Sequence, residues 1–271
     1  MRRARPLLGT IVEIEVDGAG PAIAERAIAA AFDAIALVQR LMSFHDCDSD
    51  LGRINREAFR TPVRVHPLTA RVLRRAHAFH AASEGLFDCA VGFELMRREL
   101  LPSDGLGHVS TGSIAALLVS ADDSVSLAAP VAIDLGGIAK GFAVDRAIAT
   151  LRAAGIRQAT VNAGGDLRVM GEAAQPIYVH VPDAGLRAAG HLRNGGIATS
   201  ASTAIVSRAR ASHLPAPDMD GKAYSVVAPS CIAADALTKI LVQTGDLQHP
   251  SFARFGATAF ISCGDLRSMA A

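Results

Sequence analysis

The order of strand-like and helix-like patterns constrains the fold of this chain more than any other feature of its sequence. Residues 10–16, TIVEIEV, alternate apolar and polar side chains, which is typical of a half-buried strand. Apolar residues then recur at helical spacing from Pro21 to about Met42, and again from Pro67 until Gly85, where a C-terminal cap is expected. Because helices and strands do not alternate regularly, the pattern favours an α+β fold with a largely antiparallel sheet over a doubly wound one.

The second half of the chain supplies most of the strand candidates. SVSL and VAIDL, at 124–127 and 131–135, predict two short strands, and a glycine turn then leads into a helix that ends near Ala154. A further helix covers CIAADALTKILVQTG, with Gly245 as its cap. The remaining predicted strands are ATVNAGG, LRVMG, GIATSAST, YSVVAP and ATAFISC. No linker-like tract or repeat interrupts the sequence, so we expect one domain over residues 1–271.

Composition excludes several classes of protein. The 271 residues are 50% hydrophobic and 20% charged, with a mean hydropathy of +0.29, unlike a disordered or collagen-like chain. The formal net charge is +1 and the isoelectric point is about 7.8, so there is no overall attraction toward nucleic acid. An anionic ligand must therefore be held by a local site. Among 27 basic residues, three lysines stand out: Lys140, Lys222 and Lys239.

The cysteines and the N-terminus bear on redox chemistry and location. No CxxC pair occurs, so buried or idle thiols are expected rather than a zinc site or a disulfide framework. The N-terminal apolar stretch is short, and no stretch approaches the ~20 apolar residues that span a bilayer. Without a signal peptide or an early lipoprotein cysteine, the chain as given is expected to be cytoplasmic, or periplasmic if a leader has been removed. The four cysteines are Cys47, Cys89, Cys231 and Cys263.

The segment IDLGGIAKG, residues 133–141, carries the densest chemical signal. Asp134 ends a strand-like run, and the glycines allow a ligand to approach the backbone closely. Backbone N–H groups of residues 138–141 would face an anion at the start of a helix, where Lys140 adds a positive charge. The segment is neither a Walker loop nor a GxGxxG motif. Phosphate binding is one interpretation, and a glycine-rich turn with a solvated lysine is the other.

Three other segments leave similar alternatives open. In VNAGGDLRVMG, residues 161–171, paired glycines indicate either close contact with a ligand or a plain hairpin turn. In AADALTK, Asp235, Thr238 and Lys239 share one helix face, which suits a hard cation or a solvated Asp235–Lys239 ion pair. Asp88 in SEGLFDCAVG lies just beyond a helix end and serves either a ligand or a cap. No HExxH or GxSxG motif is present, so the histidines are expected to be structural or exposed and no serine nucleophile is indicated.

Seven segments, taken in order, share a pattern with one protein family. They are LLGT, SFHDCDSDLGRIN, SEGLFD, IDLGGIAKGFAVD, VNAGGDLRVMG, IATS and ADAL. In this order they resemble the ApbE family of FAD:protein FMN transferases, from residue 7 to about residue 245. The resemblance implies an α+β fold related to the T-fold and a cleft for FAD. It also implies magnesium-dependent transfer of FMN to a threonine or serine hydroxyl of an acceptor protein, with release of AMP.

The resemblance further assigns roles to individual residues. Asp235 resembles the carboxylate that binds the metal, and Gly137 resembles the residue whose backbone oxygen joins it. His213 is similar to a histidine near the transferred group and is the candidate general base. The FAD-binding residues implied in the same way are Phe44, Gly85, Phe87, Asp88, Asp134, Gly136, Lys140, Thr199, Ser200 and Thr238.

Four positions depart from the family pattern. Lys239 stands where the family has a metal-binding threonine, so its ammonium either supplies part of the cation's charge or pairs with Asp235, leaving Thr238 to face the cofactor. The other departures are Leu8, Ala201 and Ala216. They leave open a divergent relative that binds or hydrolyses FAD without acceptor transfer. A non-enzymatic partner protein with structural glycine turns is the third hypothesis.

Overall fold

The structure is a computed structural model that describes residues 1–182, 184–201 and 221–263. Its strands, in chain order, are β1 (Arg2–Leu7), β2 (Thr10–Asp17), β3 (Val63–Arg64), β4 (Leu117–Val119), β5 (Ser124–Leu127), β6 (Gln158–Ala163), β7 (Asp166–Met170), β8 (Gln175–Val181), β9 (Gly185–Leu192), β10 (Gly196–Ala201), β11 (Lys222–Ala228) and β12 (Thr258–Cys263). Its helices are α1 (Pro21–Met42), α2 (Asp50–Glu57), α3 (Pro67–Ala82), α4 (Gly92–Arg97), α5 (Ala139–Ala153), α6 (Cys231–Thr244) and α7 (Pro250–Arg254).

The main sheet has seven strands in the order β1-β2-β6-β7-β10-β11-β12, and every neighbouring pair is antiparallel. A three-stranded sheet, β3-β5-β4, and the hairpin β8-β9 are also antiparallel. This arrangement confirms the prediction of an α+β fold with a largely antiparallel sheet.

Alternation along β11 shows how the main sheet separates two apolar cores. Tyr224, Val226 and Ala228 belong to the large core that α1, α5 and α6 cover. Ala223 and Val227 pack on the opposite face, in a smaller core with hairpin β8-β9. Because successive side chains of a strand point to opposite faces, each core receives every second residue. Among the described residues, no helix combines the length and the apolar character that crossing a membrane requires.

The segment VAIDL, predicted as a strand, is instead an irregular stretch at 131–135. Its backbone finds hydrogen-bond partners without pairing to a strand. The Ile133 N–H donates to Asn55 Oδ1 at 2.7 Å, and the Ile133 carbonyl accepts from Asn55 Nδ2 at 2.9 Å. The Asp134 N–H donates to the Cys89 carbonyl at 2.8 Å. One buried asparagine side chain therefore takes the place of a neighbouring strand, which no local pattern indicates.

Candidate functional site

Helices α5 and α6 approach each other closely at Gly141. A Cβ atom at this position would lie 2.4 Å from the Cys231 carbonyl oxygen and 2.8 Å from Asp235 Cβ. The Gly141 N–H donates to Asp235 Oδ2 at 3.0 Å. The glycine predicted to admit a ligand therefore admits a helix, and it brings the start of α5 beside Asp235.

Four charged side chains meet where these two helices face β7. We call Lys140, Asp166, Asp235 and Lys239 the charge cluster. Lys140 Nζ pairs with Asp166 Oδ2, and Lys239 Nζ lies 3.3 Å from Asp235 Oδ1. The Asp235 side chain is 0% exposed and that of Lys239 is 10% exposed, so the predicted ion pair is buried and not solvated.

Electrostatic coupling joins the members of the charge cluster. Burial lowers the pKa of Lys140, but the carboxylates of Asp166 and Asp235 outweigh this effect, so the pKa is raised and the ammonium persists. Burial and the charge of Asp235 raise the pKa of Asp166, while Lys140 and Lys239 oppose that rise. With all four groups ionised, two positive charges balance two negative ones.

Asp166 is a member of the charge cluster that the sequence pattern does not single out. It is the first residue of β7 and directly follows Gly164 and Gly165, whose φ angles of 65° and 102° form a two-residue hairpin loop between β6 and β7. VNAGGD therefore forms a hairpin turn, which places the Asp166 carboxylate beside Lys140, and contact of its glycines with a ligand stays a prediction. An aspartate directly after two turn glycines is the available signal.

The α5 entrance offers fewer free backbone donors than its sequence suggests. The N–H groups of Ile138 and Ala139 donate to the Leu135 carbonyl at 3.0 and 2.8 Å, and that of Gly141 is taken by Asp235. Three of the four predicted anion contacts are thus occupied within the protein. The fourth is the Lys140 N–H. The Lys140 side chain is 35% exposed, so an anion can reach it.

Asp134 lies next to this entrance and is 7% exposed. Its Oδ2 accepts the Gly136 N–H at 3.1 Å. Burial raises the pKa of Asp134 from 3.8 to about 6, and the N–H groups of Gly136 and Leu135 offset only part of that shift. Burial, together with the carboxylates of Asp134, Asp88 and Asp235, raises the pKa of the Cys89 thiol. Cys89 therefore stays a neutral, buried thiol.

Asp134 should make the stability of the protein depend on pH. Because its pKa is raised in the folded state, its contribution is fully present below pH 3.8 and is lost as the pH rises through about 6. Between pH 4 and pH 7, wild type should lose about 2 kcal/mol of unfolding free energy relative to Asp134→Asn. Urea unfolding at several pH values measures this difference. Asp122→Asn is the control of opposite sign, since hydrogen bonds from Ser124 lower the pKa of that exposed carboxyl. If the unfolding free energies of wild type and Asp134→Asn changed equally with pH, the raised pKa of Asp134 would be contradicted.

The carboxylate of Asp88 is fully engaged in structure. Its Oδ1 accepts from the N–H groups of Ala90 and Ile114 at 2.7 and 2.9 Å, and its Oδ2 accepts from Ser113 Oγ at 2.7 Å. His80 Nδ1 is a further 3.3 Å neighbour of Oδ2. These contacts support the capping alternative, and an FAD contact by Asp88 stays a prediction.

Phe87 and Gly85, two other predicted FAD-binding residues in the same segment as Asp88, also make contacts within the fold. Phe87 is 3% exposed and packs edge-on against Phe79. Gly85 has a φ of 90°, and its N–H donates to the His80 carbonyl at 2.9 Å, which closes α3 as a capping glycine would. Phe44 is half-buried and packs against both the large core and the small cluster around Leu106.

Strand β10 sends its predicted ligand residues to opposite faces of the sheet. Ser200 Oγ donates to Thr238 Oγ1 at 3.2 Å and accepts from Lys239 Nζ at 3.1 Å, so it joins the charge cluster. Thr199 Oγ1 instead pairs with Ser225 Oγ at 2.9 Å. The structure brings Ser200 and Thr238 together with Asp235 and leaves Thr199 on the other side. His213, the predicted general base, lies outside the described residues.

Comparisons with known proteins agree with this architecture. The family model for the ApbE family matches residues 8–261. The chain is similar to proteins named FAD:protein FMN transferase from two bacteria. The one from Chlamydia trachomatis is 29% identical over 74% of this chain and 70% of its own length. The one from Rhodobacter capsulatus is 31% identical over 65% of this chain and 36% of its own length. A further one from Treponema pallidum is 30% identical over 62% of this chain and 51% of its own length. The aligned part thus spans less than two thirds of the second and third of these relatives.

Solved structures give the same fold over nearly the whole chain. The flavin transferase ApbE of Vibrio cholerae superposes with a TM-score of 0.74 at 22% identity, covering 98% of this chain and 94% of that one. An ApbE protein of Thermotoga maritima has a TM-score of 0.74 at 25% identity, with 98% and 97% covered. With the family model matched from residue 8 to residue 261, the chain belongs to the ApbE family.

Proposed function

We propose that this protein is an FAD:protein FMN transferase. A threonine or serine hydroxyl of an acceptor protein attacks the phosphorus of the FMN half of FAD, and the bond from that phosphorus to the oxygen bridging to AMP breaks. The hydroxyl loses its proton to a base, and AMP leaves with the electron pair of the broken bond. The convergence of the α5 entrance with Asp235 in the charge cluster carries this proposal, and family membership supports it.

Lys140 is the residue of the charge cluster that we assign to the pyrophosphate. Its ammonium is held by Asp166 and stays protonated, yet part of its side chain is exposed. A fixed positive charge at the phosphates favours both binding and the charge that develops on the leaving oxygen. In the same proposal, His213 takes the hydroxyl proton and Asp134 with Gly136 shapes the FAD pocket.

Magnesium is implied by the family resemblance, and the residues present allow a test of its fit. Asp235 Oδ1 is buried and, within the described part of the chain, has no hydrogen-bond partner, as is expected of a metal ligand. However, the ammonium of Lys239 lies 3.3 Å from this oxygen. Across the described ranges, the one set of three clustered metal-ligating side chains is Asp46, Cys47 and Asp48 on the surface. With the Lys239 ammonium beside it, Asp235 does not fit a divalent ion, although the carboxylate and hydroxyl oxygens there are of a type that binds one. The magnesium requirement stays a prediction of the resemblance.

The transfer reaction is tested by mixing the protein with FAD and a flavin-acceptor domain. We expect flavin fluorescence on the acceptor after denaturing electrophoresis, with AMP released in equal amount. Lys140→Met should weaken FAD binding about tenfold or more, since a charge-assisted contact to the phosphates is lost. Arg152→Met, at the far end of the same helix, is the matched control. Unmodified acceptor and intact FAD would reject the proposal.

A second outcome of the same assay supports the hydrolytic relative. In that case AMP and free FMN appear while the acceptor remains unmodified, because water replaces the hydroxyl as the attacking group. Lys239, at the position where the family has threonine, is the observation that favours this alternative.

A further inference from the structure

Lys239 occupies the place in the charge cluster where a cation would bind. Its ammonium is surrounded by three oxygens: it donates to Ser200 Oγ and Thr238 Oγ1, each at 3.1 Å, and lies 3.3 Å from Asp235 Oδ1. The surrounding groups are a carboxylate and two hydroxyls, which are the donors that hard cations prefer. An ammonium, with three donors and one positive charge, satisfies the same set.

Groups from three elements, α5, α6 and β10, hold the oxygens around the Lys239 ammonium in place. Asp235 lies one helical turn before Lys239 on α6, with its second oxygen held by the Gly141 N–H. Ser200 comes from β10, and the Thr238 hydroxyl is anchored by the Asp235 carbonyl at 2.7 Å. The relative exposure of Lys239 is 9% and that of Thr238 is 0%. The ammonium is therefore enclosed, unlike a surface lysine that can turn away into water.

The charges of the cluster also disfavour a divalent ion beside Asp235. Lys140 and Lys239 balance Asp166 and Asp235, so the charge cluster is already neutral as a set. A divalent ion on Asp235 would place two further positive charges beside the Lys239 ammonium, at a distance where like charges repel strongly. Without Lys239 the same set would carry one net negative charge and would attract a cation.

We propose that the ammonium of Lys239 is the built-in cation of this site and that it takes the place of a divalent metal ion. The proposal rests on the proposed function for its catalytic consequence, but its binding consequence is independent of activity. Wild type should show no divalent-ion site that depends on Asp235. Lys239→Thr should create one, because the carboxylate and three hydroxyls then face one another without the ammonium.

Titration with Mn²⁺, followed through the electron paramagnetic resonance signal of the free ion, tests the binding consequence. Lys239→Thr should bind one ion at least about 100-fold more tightly than wild type, since a like charge has been removed from the site. Asp235→Asn combined with Lys239→Thr should abolish that gain. Arg152→Thr removes a positive charge far from the site and should behave as wild type. Circular dichroism establishes that each variant is folded.

Two results would overturn the proposal. One is tight Mn²⁺ binding by wild type that disappears in Asp235→Asn, a measurement that does not depend on the folding of Lys239→Thr. The other is a folded Lys239→Thr variant that gains no ion. In the flavin assay, wild type should be equally active in EDTA and in magnesium. If EDTA abolishes flavin transfer, the result contradicts the built-in cation but not the proposed function. If no transfer occurs under any condition, the result contradicts the proposed function, and the Mn²⁺ titration still tests the built-in cation.

Discussion

Replacing Asp235 with asparagine should lower the free energy of unfolding by about 3 to 5 kcal/mol, the usual cost of removing one partner of a buried ion pair. The amide oxygen of the new side chain could still accept the Gly141 N–H, but its amide nitrogen would then face the Lys239 ammonium, which lies 3.3 Å from the present carboxylate oxygen. Lys239 would remain buried without its ion-pair partner. Urea unfolding monitored by circular dichroism measures the loss.

A double variant separates the ion pair from other effects at Asp235. Asp235→Asn combined with Lys239→Met should recover roughly half of the loss or more, because neutralising both partners is far less costly than neutralising one. Asp246→Asn changes an exposed loop aspartate and serves as the matched control. A loss below about 1 kcal/mol for Asp235→Asn, as at an exposed pair, would show that the charge cluster is not buried as described.

Replacing Asn55 with leucine should cost about 4 kcal/mol, because the N–H and the carbonyl of Ile133 would both lose a partner inside the protein. Leucine keeps the branching of the asparagine side chain but carries no polar atom and is bulkier, so the loss combines the two hydrogen bonds with some overpacking. Ile133 directly precedes Asp134, so FAD binding should weaken as well. Urea unfolding and titration with FAD measure the two effects.

Asn162→Leu provides the matched comparison for Asn55. Asn162 is half-buried and accepts one bond, from the Gly165 N–H at 3.0 Å, so its replacement should cost about 1 kcal/mol. Equal losses for the two variants would mean that Asn55 does not hold the 131–135 segment in place.

The elements that the sequence predicts best are those with strong local periodicity. The helix from Pro21 to Met42 and the strand around residues 10–16 are evident because their apolar spacing repeats over several turns or pleats. Strand β1, the short helix α2 and the hairpin β8-β9 escape prediction. The reasons for the first two are local: RRARPL of β1 lacks a clear two-residue alternation, and α2 is only eight residues long with a glycine inside it.

The candidate site is predictable only in part. Lys140, Asp235, Ser200 and Thr238 are singled out by the sequence, and the structure brings them together. Asp166 is missed because its one local signal, a position directly after two turn glycines, is equally typical of a plain hairpin until its partner Lys140 is known.

The sequence alone determined the family, the α+β class and the segments that carry charge, because these depend on residue types at short spacing. Only the tertiary structure decided which charges distant in sequence meet, since helical spacing alone brings together Asp235 and Lys239. Lys140 and Asp166 are 26 residues apart, and Gly141 and Asp235 are 94 residues apart. The second contact depends on how closely α5 and α6 pack, which Gly141 permits because it has no side chain. The first joins α5 to β7, where burial makes the Asp166 carboxylate require a partner.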